Sequence, residues 1–98
     1  MQKALKILVI RFSSIGDIVL TTPVIRCLKK QLDTEVHFLT KDKYSDILSE
    51  NPYLKKIHFL DNDINETISN LKKEGFDYVI DLHNNIRSRL VALQLGCT

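Results

Sequence analysis

The chain has 98 residues, with 14 Lys and Arg against 12 Asp and Glu and a formal net charge of +2. That length allows one domain at most, burying roughly 60–65% of the surface an unfolded chain exposes, and the charge balance gives no footing for nucleic acid. With seven Tyr and Phe and no Trp, no stacking surface stands out, and no apolar run reaches the roughly 20 residues that span a bilayer.

Residues 5–11, LKILVIR, form a continuous apolar, β-rich run. Such a run predicts a strand buried on both faces, as in parallel sheets. Arg11 interrupts the apolar start, so the segment reads as a strand and not as a signal peptide. Beyond the loop, Ile18, Thr21 or Thr22, Ile25, Leu28 and Leu32 recur at helical spacing. Pro23 is costly inside a helix. Either the helix kinks there, or a second helix begins with Thr22 as its cap and Pro23 in its first turn.

EVHFLT at 35–40 reads as a second strand, and a short helix is expected over 43–48. NPYL at 51–54 signals a turn, and IHFL at 57–60 a third strand. Ile64, Ile68 and Leu71 mark another amphipathic helix, with Gly75 suited to its C-terminal end. FDYVIDL at 76–82 is a fourth strand, and a helix over 87–95 closes the chain. The order βαβαβαβα with short connections predicts an α/β fold with a Rossmann-like parallel sheet and flanking helices. Cys27 and Cys97 match no metal or redox spacing. A disulfide is not expected, and a reducing, cytoplasmic compartment is.

Two loops carry the chemistry. In the first, Ser14-Ile15-Gly16-Asp17 has the S-x-x-D form of a capping box, in which Asp17 reaches back to the Ser14 amide. The same placement holds a carboxylate at a helix N-terminus, where negative charge is stabilised, ready to accept a proton. The two readings are compatible. Gly16 suits a close approach of backbone to a neighbour or a ligand. A single glycine excludes the G-x-G-x-x-G dinucleotide fingerprint, and no Walker loop is present.

The second loop, DLHNNIRSR at 81–89, packs Asp81, His83, Asn84, Asn85, Arg87, Ser88 and Arg89 into nine residues. Asp81 reads as a strand-end acid that orders the loop, and His83 as a polar loop tip. No second ligand stands at helical spacing from His83, so no metal is expected. Arg87 opens a helix against its dipole, which points to an anion recruited by both. A doubly wound half-sheet with strand order 3-2-1-4 brings both loops to the crevice at the carboxyl ends of strands one and four. Asp17 then shares that crevice with Ser13, Ser14, Gly16, Asn84, Arg87 and Ser88, a set suited to a hydroxyl-rich, anionic ligand such as a phosphorylated sugar.

At ILVIRFSSIGDIVLTTPVIRCLKK, NPYLKKIHFLD and DYVIDLHNNIRS the sequence resembles glycosyltransferase family nine, the ADP-heptose:lipopolysaccharide heptosyltransferases. The first segment is the most specific, combining a strand, [KR]-x-S-S-x-G-D and T-T-P. Arg11 stands where many members have Lys, and Asn84 or Asn85 where the family often has Gly. The resemblance implies a GT-B enzyme of two Rossmann-like domains. Residues 1–98 would be the N-terminal, acceptor-side domain, a fragment lacking the C-terminal donor-binding domain. It further implies an inverting transfer of heptose from ADP-heptose to a lipid A–core acceptor, with Asp17 as general base, no cofactor, and peripheral contact with the inner membrane. A lone fragment is expected to be inactive, and to self-associate through the open edge of strand four. The alternatives are a stand-alone sugar-phosphate or nucleotide binding module and, less well matched, a receiver-like signalling domain.

Overall fold

The computed structural model describes residues 5–12, 15–31, 34–60 and 63–83, together with Val91 and Leu95. Four strands, β1 (Leu5–Ile10), β2 (Thr34–Thr40), β3 (Leu54–Phe59) and β4 (Tyr78–Asp81), form one parallel sheet in the order β3-β2-β1-β4. The expected 3-2-1-4 order is therefore realised. The central strand is β1, which explains its unbroken apolar run: Ile7, Val9, Leu8 and Ile10 are all buried.

The side chains of β1 divide between two cores. Ile7 and Val9 join Ile18, Ile25, Val36, Phe38 and Leu48 on the face covered by α1 (Ile15–Leu20), α2 (Thr22–Gln31) and α3 (Ser45–Ser49). Leu8, Ile10 and Phe12 join Leu39, Ile68, Leu71, Phe76 and Val91 on the face covered by α4 (Ile64–Lys72). Helices cover both faces, so the sheet is doubly wound, with the reversal of strand order between β1 and β4.

Several local expectations shift by a few residues. The segment after β1 is two helices, and Pro23 lies in the first turn of the second. Thr22 is not the cap of α2. The carbonyl of Thr21 accepts from Ile25 N at 3.1 Å, while the Thr22 hydroxyl turns back and donates to the Val19 carbonyl at 2.8 Å. Strand β3 starts three residues before the expected 57, because an edge strand tolerates the exposed Lys55 and Lys56. The helix expected over 43–48 is a 3-10 turn, Asp42–Tyr44, followed by α3. Asp63 caps α4 by accepting from Asn65 N at 3.0 Å. Gly75, at φ +69°, turns the chain from α4 towards β4, a conformation that favours glycine. Of the helix expected over 87–95, Val91 and Leu95 are described, and both are helical.

Candidate functional site

At the carboxyl end of the sheet, β1 runs into Arg11 and Phe12, and β4 into Leu82 and His83. The two chain ends are stitched together by backbone and side chain. Leu82 N and His83 N both donate to the Ile10 carbonyl, at 3.0 and 3.1 Å. His83 Nδ1 accepts from Phe12 N at 3.3 Å, and the two rings lie 5.0 Å apart. His83, read in sequence as a polar loop tip, is half-buried and braces the ends of β1 and β4. Asp81 does order the loop, since its Oδ1 accepts from His83 N at 3.1 Å.

Arg11 spans the mouth of this crevice. Its Nη1 donates to the Leu82 carbonyl at 2.6 Å, and its Nη2 meets Asp17 Oδ2 at 2.9 Å. The planar fork of the guanidinium makes both contacts at once, one towards the end of β4 and one towards the first turn of α1. The Asp17 side chain is 48% exposed and that of Arg11 is 22% exposed, so the carboxylate is held in position yet open to solvent. Two buried polar atoms at this end have no hydrogen-bond partner among the described residues, Arg11 Nε and the hydroxyl of Thr40 at the end of β2. Buried orphans of this kind are uncommon in protein interiors.

Gly16 is exposed, and a Cβ built on it would meet no protein atom within 4 Å. A side chain at this position would have open space, so close packing against the described residues does not account for the glycine. Ser13, Ser14, Asn84, Arg87 and Ser88 lie outside the described residues. Of the expected site residues, the structure describes Asp17 and Gly16, both in the first turn of α1. Arg11 and Thr40, which the structure places at this end of the sheet, were not among the expected site residues. In sequence Arg11 reads as the charge that ends a strand and as the [KR] of the family motif, and its place six residues before Asp17 was a usable signal for the ion pair.

A groove of about 650 Å³ lies elsewhere, between α2 and the α3–β3 connection, lined by Pro23, Arg26, Lys30, Ile47, Pro52 and Tyr53 among others. It shares no lining residue with the crevice. No helix among the described residues is long and apolar enough to cross a membrane.

No family model matches the chain. Lipopolysaccharide heptosyltransferase 1 of Campylobacter coli is 30% identical over 95 residues, covering 90% of this chain and 28% of the relative. The crystal structure of a family 9 glycosyl transferase from Veillonella parvula superposes with a TM-score of 0.87 at 26% identity, covering 99% of this chain and 31% of its own. The ADP-heptose lps heptosyltransferase II of E. coli shares the fold at a TM-score of 0.85 and 23% identity, over 95% of this chain and 29% of its own. The resemblance to glycosyltransferase family nine holds in sequence and in fold. The chain spans only 28 to 31% of the length of these relatives.

Proposed function

We propose that this chain is the acceptor-side portion of a family-nine glycosyltransferase of the heptosyltransferase kind, and that Asp17 is its general base. The observation that carries the reading is the Asp17 carboxylate, half exposed at the crevice between β1 and β4 and gripped by Arg11 at 2.9 Å. It stands at the topological switch point, where open α/β sheets bind ligands. The likeness to heptosyltransferases across nearly the whole chain supplies the reaction class.

In this mechanism Asp17 takes the proton of an acceptor hydroxyl while that oxygen attacks the anomeric carbon of the donor heptose. A new C–O bond forms as the sugar–phosphate C–O bond breaks, and its electron pair departs on ADP. Attack opposite the leaving group inverts the configuration, and one base suffices for a direct displacement. Arg11 positions the carboxylate and does not touch the reacting atoms. Ser13, Ser14, Gly16, Asn84, Arg87 and Ser88 are proposed to hold the acceptor. The donor is proposed to bind a second domain, a reading supported by the chain's covering 28% of the relative's length. A cytoplasmic location, peripheral to the inner membrane, accompanies such an acceptor. The edge strand β4, with Tyr78 48% exposed, is where this portion alone would self-associate.

The test is transfer by the protein that carries this chain, given ADP-heptose and a lipid A–core acceptor. Heptose incorporation with inverted configuration is the expected result. Sugar-phosphate binding without any transfer would overturn it in favour of a binding module.

A further inference from the structure

A second cluster lies on the α4 face of the sheet, towards the amino ends of β1 and β4 and away from the crevice. His37 on β2, His58 on β3 and Glu74 in the turn after α4 each offer a ligand atom, and these atoms lie within 4.8 Å of one another. His37 is 2% exposed. Its Nδ1 lies 2.9 Å from His58 Nε2, and its Nε2 lies 3.0 Å from Glu35 Oε1. In the neutral tautomer that donates from Nε2 to the Glu35 carboxylate, Nδ1 turns a lone pair towards His58. Metal-bound imidazoles almost always donate from the far nitrogen to a carboxylate, a backbone carbonyl or water, and here Glu35 stands in that place.

Glu74 is held in place by Lys6, whose Nζ donates to its Oε1 at 3.1 Å. The Phe76 ring packs edge-on against both imidazoles, 5.0 Å from His37 and 6.0 Å from His58.

We propose that His37, His58 and Glu74 bind a divalent transition-metal ion, Zn²⁺ by its donor set, as a clamp joining β2, β3 and the α4–β4 turn. Two imidazole nitrogens and one carboxylate oxygen suit zinc, with water as the fourth ligand. Calcium and magnesium favour oxygen-only sets. On binding, the hydrogen bond between the two rings is replaced by two metal bonds. His58 then carries its proton on Nδ1 instead of Nε2, a change of tautomer that releases no proton. Metal–nitrogen bonds of about 2.0–2.1 Å require the nitrogens to part to about 3.3 Å. Lys56, whose side chain is 59% exposed, gives up its 3.3 Å contact with Glu74 to solvent. Lys6 stays, because it also donates to the Glu74 carbonyl at 2.6 Å. The sequence offered no metal at His83, for want of a second ligand at helical spacing; His37, His58 and Glu74 share no local spacing either and meet only through the sheet.

The experiment is competition for Zn²⁺ between the protein and a chromophoric chelator, with Co²⁺ as a spectroscopic substitute. One Zn²⁺ per chain is expected, with Co²⁺ giving the visible bands of a four-coordinate nitrogen–oxygen site. His58→Gln and Glu74→Gln should each weaken binding by about 10-fold or more, and Cys27→Ser, at an exposed position on α2, should not. Circular dichroism checks folding. If His58→Gln does not fold, Glu74→Gln and the wild-type Co²⁺ spectrum decide. Absence of saturable binding to the wild-type protein, or unchanged affinity in folded Glu74→Gln, would overturn the proposal and leave a structural hydrogen-bond network. The readout is ion binding, so its outcome is independent of the transferase reading.

Discussion

Arg11 and Asp17 form an ion pair of 2.9 Å that ties the end of the central strand to the first turn of the helix following it. The same guanidinium donates to the Leu82 carbonyl at 2.6 Å, so one side chain fixes three segments at the crevice. An ammonium in its place is a point charge and cannot reproduce the fork. Arg11→Lys is expected to keep part of the stability and Arg11→Ala to lose more, about 1–3 kcal/mol, because the Leu82 carbonyl loses its charged donor. Urea unfolding of both variants is the measurement. Equal stability of wild type and Arg11→Ala would show that the bridge holds nothing.

Gly16 separates a structural role from a ligand role. It lies in α1 and a Cβ there meets open space. Ala favours a helix over Gly by roughly 0.5–1 kcal/mol. Gly16→Ala should therefore leave thermal stability unchanged or slightly raised while raising the acceptor KM. A stable variant with wild-type acceptor KM would remove Gly16 from the acceptor site.

The amino-end cluster predicts acid lability of the metal-free protein. His58 titrates near 4 in the folded chain, below the ordinary 6.5. Between those values the unfolded chain binds the extra proton, so stability falls as pH drops through that window. Glu35 and Glu74, both held below 4.5, add further loss of the same sign below it. Melting temperatures measured in chelator from pH 7 to 4 check this. A flat profile between pH 6.5 and 4.5 for the wild type, or a His58→Gln variant with the same slope, would contradict it.

Much of the architecture is legible in the residues themselves. The doubly buried run of β1 and the alternation of strand and helix give the sheet, and the crevice follows from the strand order. Edge strands are harder to read, since β3 includes Lys55 and Lys56 and its polar half resembles a loop. Side-chain relationships that cross the sheet are harder still. Arg11 meets the Leu82 carbonyl across 71 positions, and His37 meets His58 across 21. Such contacts depend on strand register, which the order of elements alone does not determine. Asp17 could be singled out from sequence because the residues of its motif are its sequence neighbours.

Arg87 tests the second loop. An anionic group on the acceptor should be gripped by its planar fork, so Arg87→Ala should weaken acceptor binding and Arg87→Lys restore only part. Calorimetry with phosphorylated acceptor fragments measures this, and unchanged affinity in both variants would return Arg87 to the solvated surface.

The central claim is that Asp17 removes the acceptor proton, and steady-state kinetics of Asp17→Asn, with both substrates varied, test it most directly. Asn preserves the size of the side chain and most of its hydrogen bonding but cannot serve as a base. A positioned base contributes about 10²–10⁴-fold. Turnover should fall by that order while the acceptor KM changes only a few-fold. Turnover within a few-fold of wild type would contradict the account and leave Asp17 as the partner of Arg11 at the start of a helix.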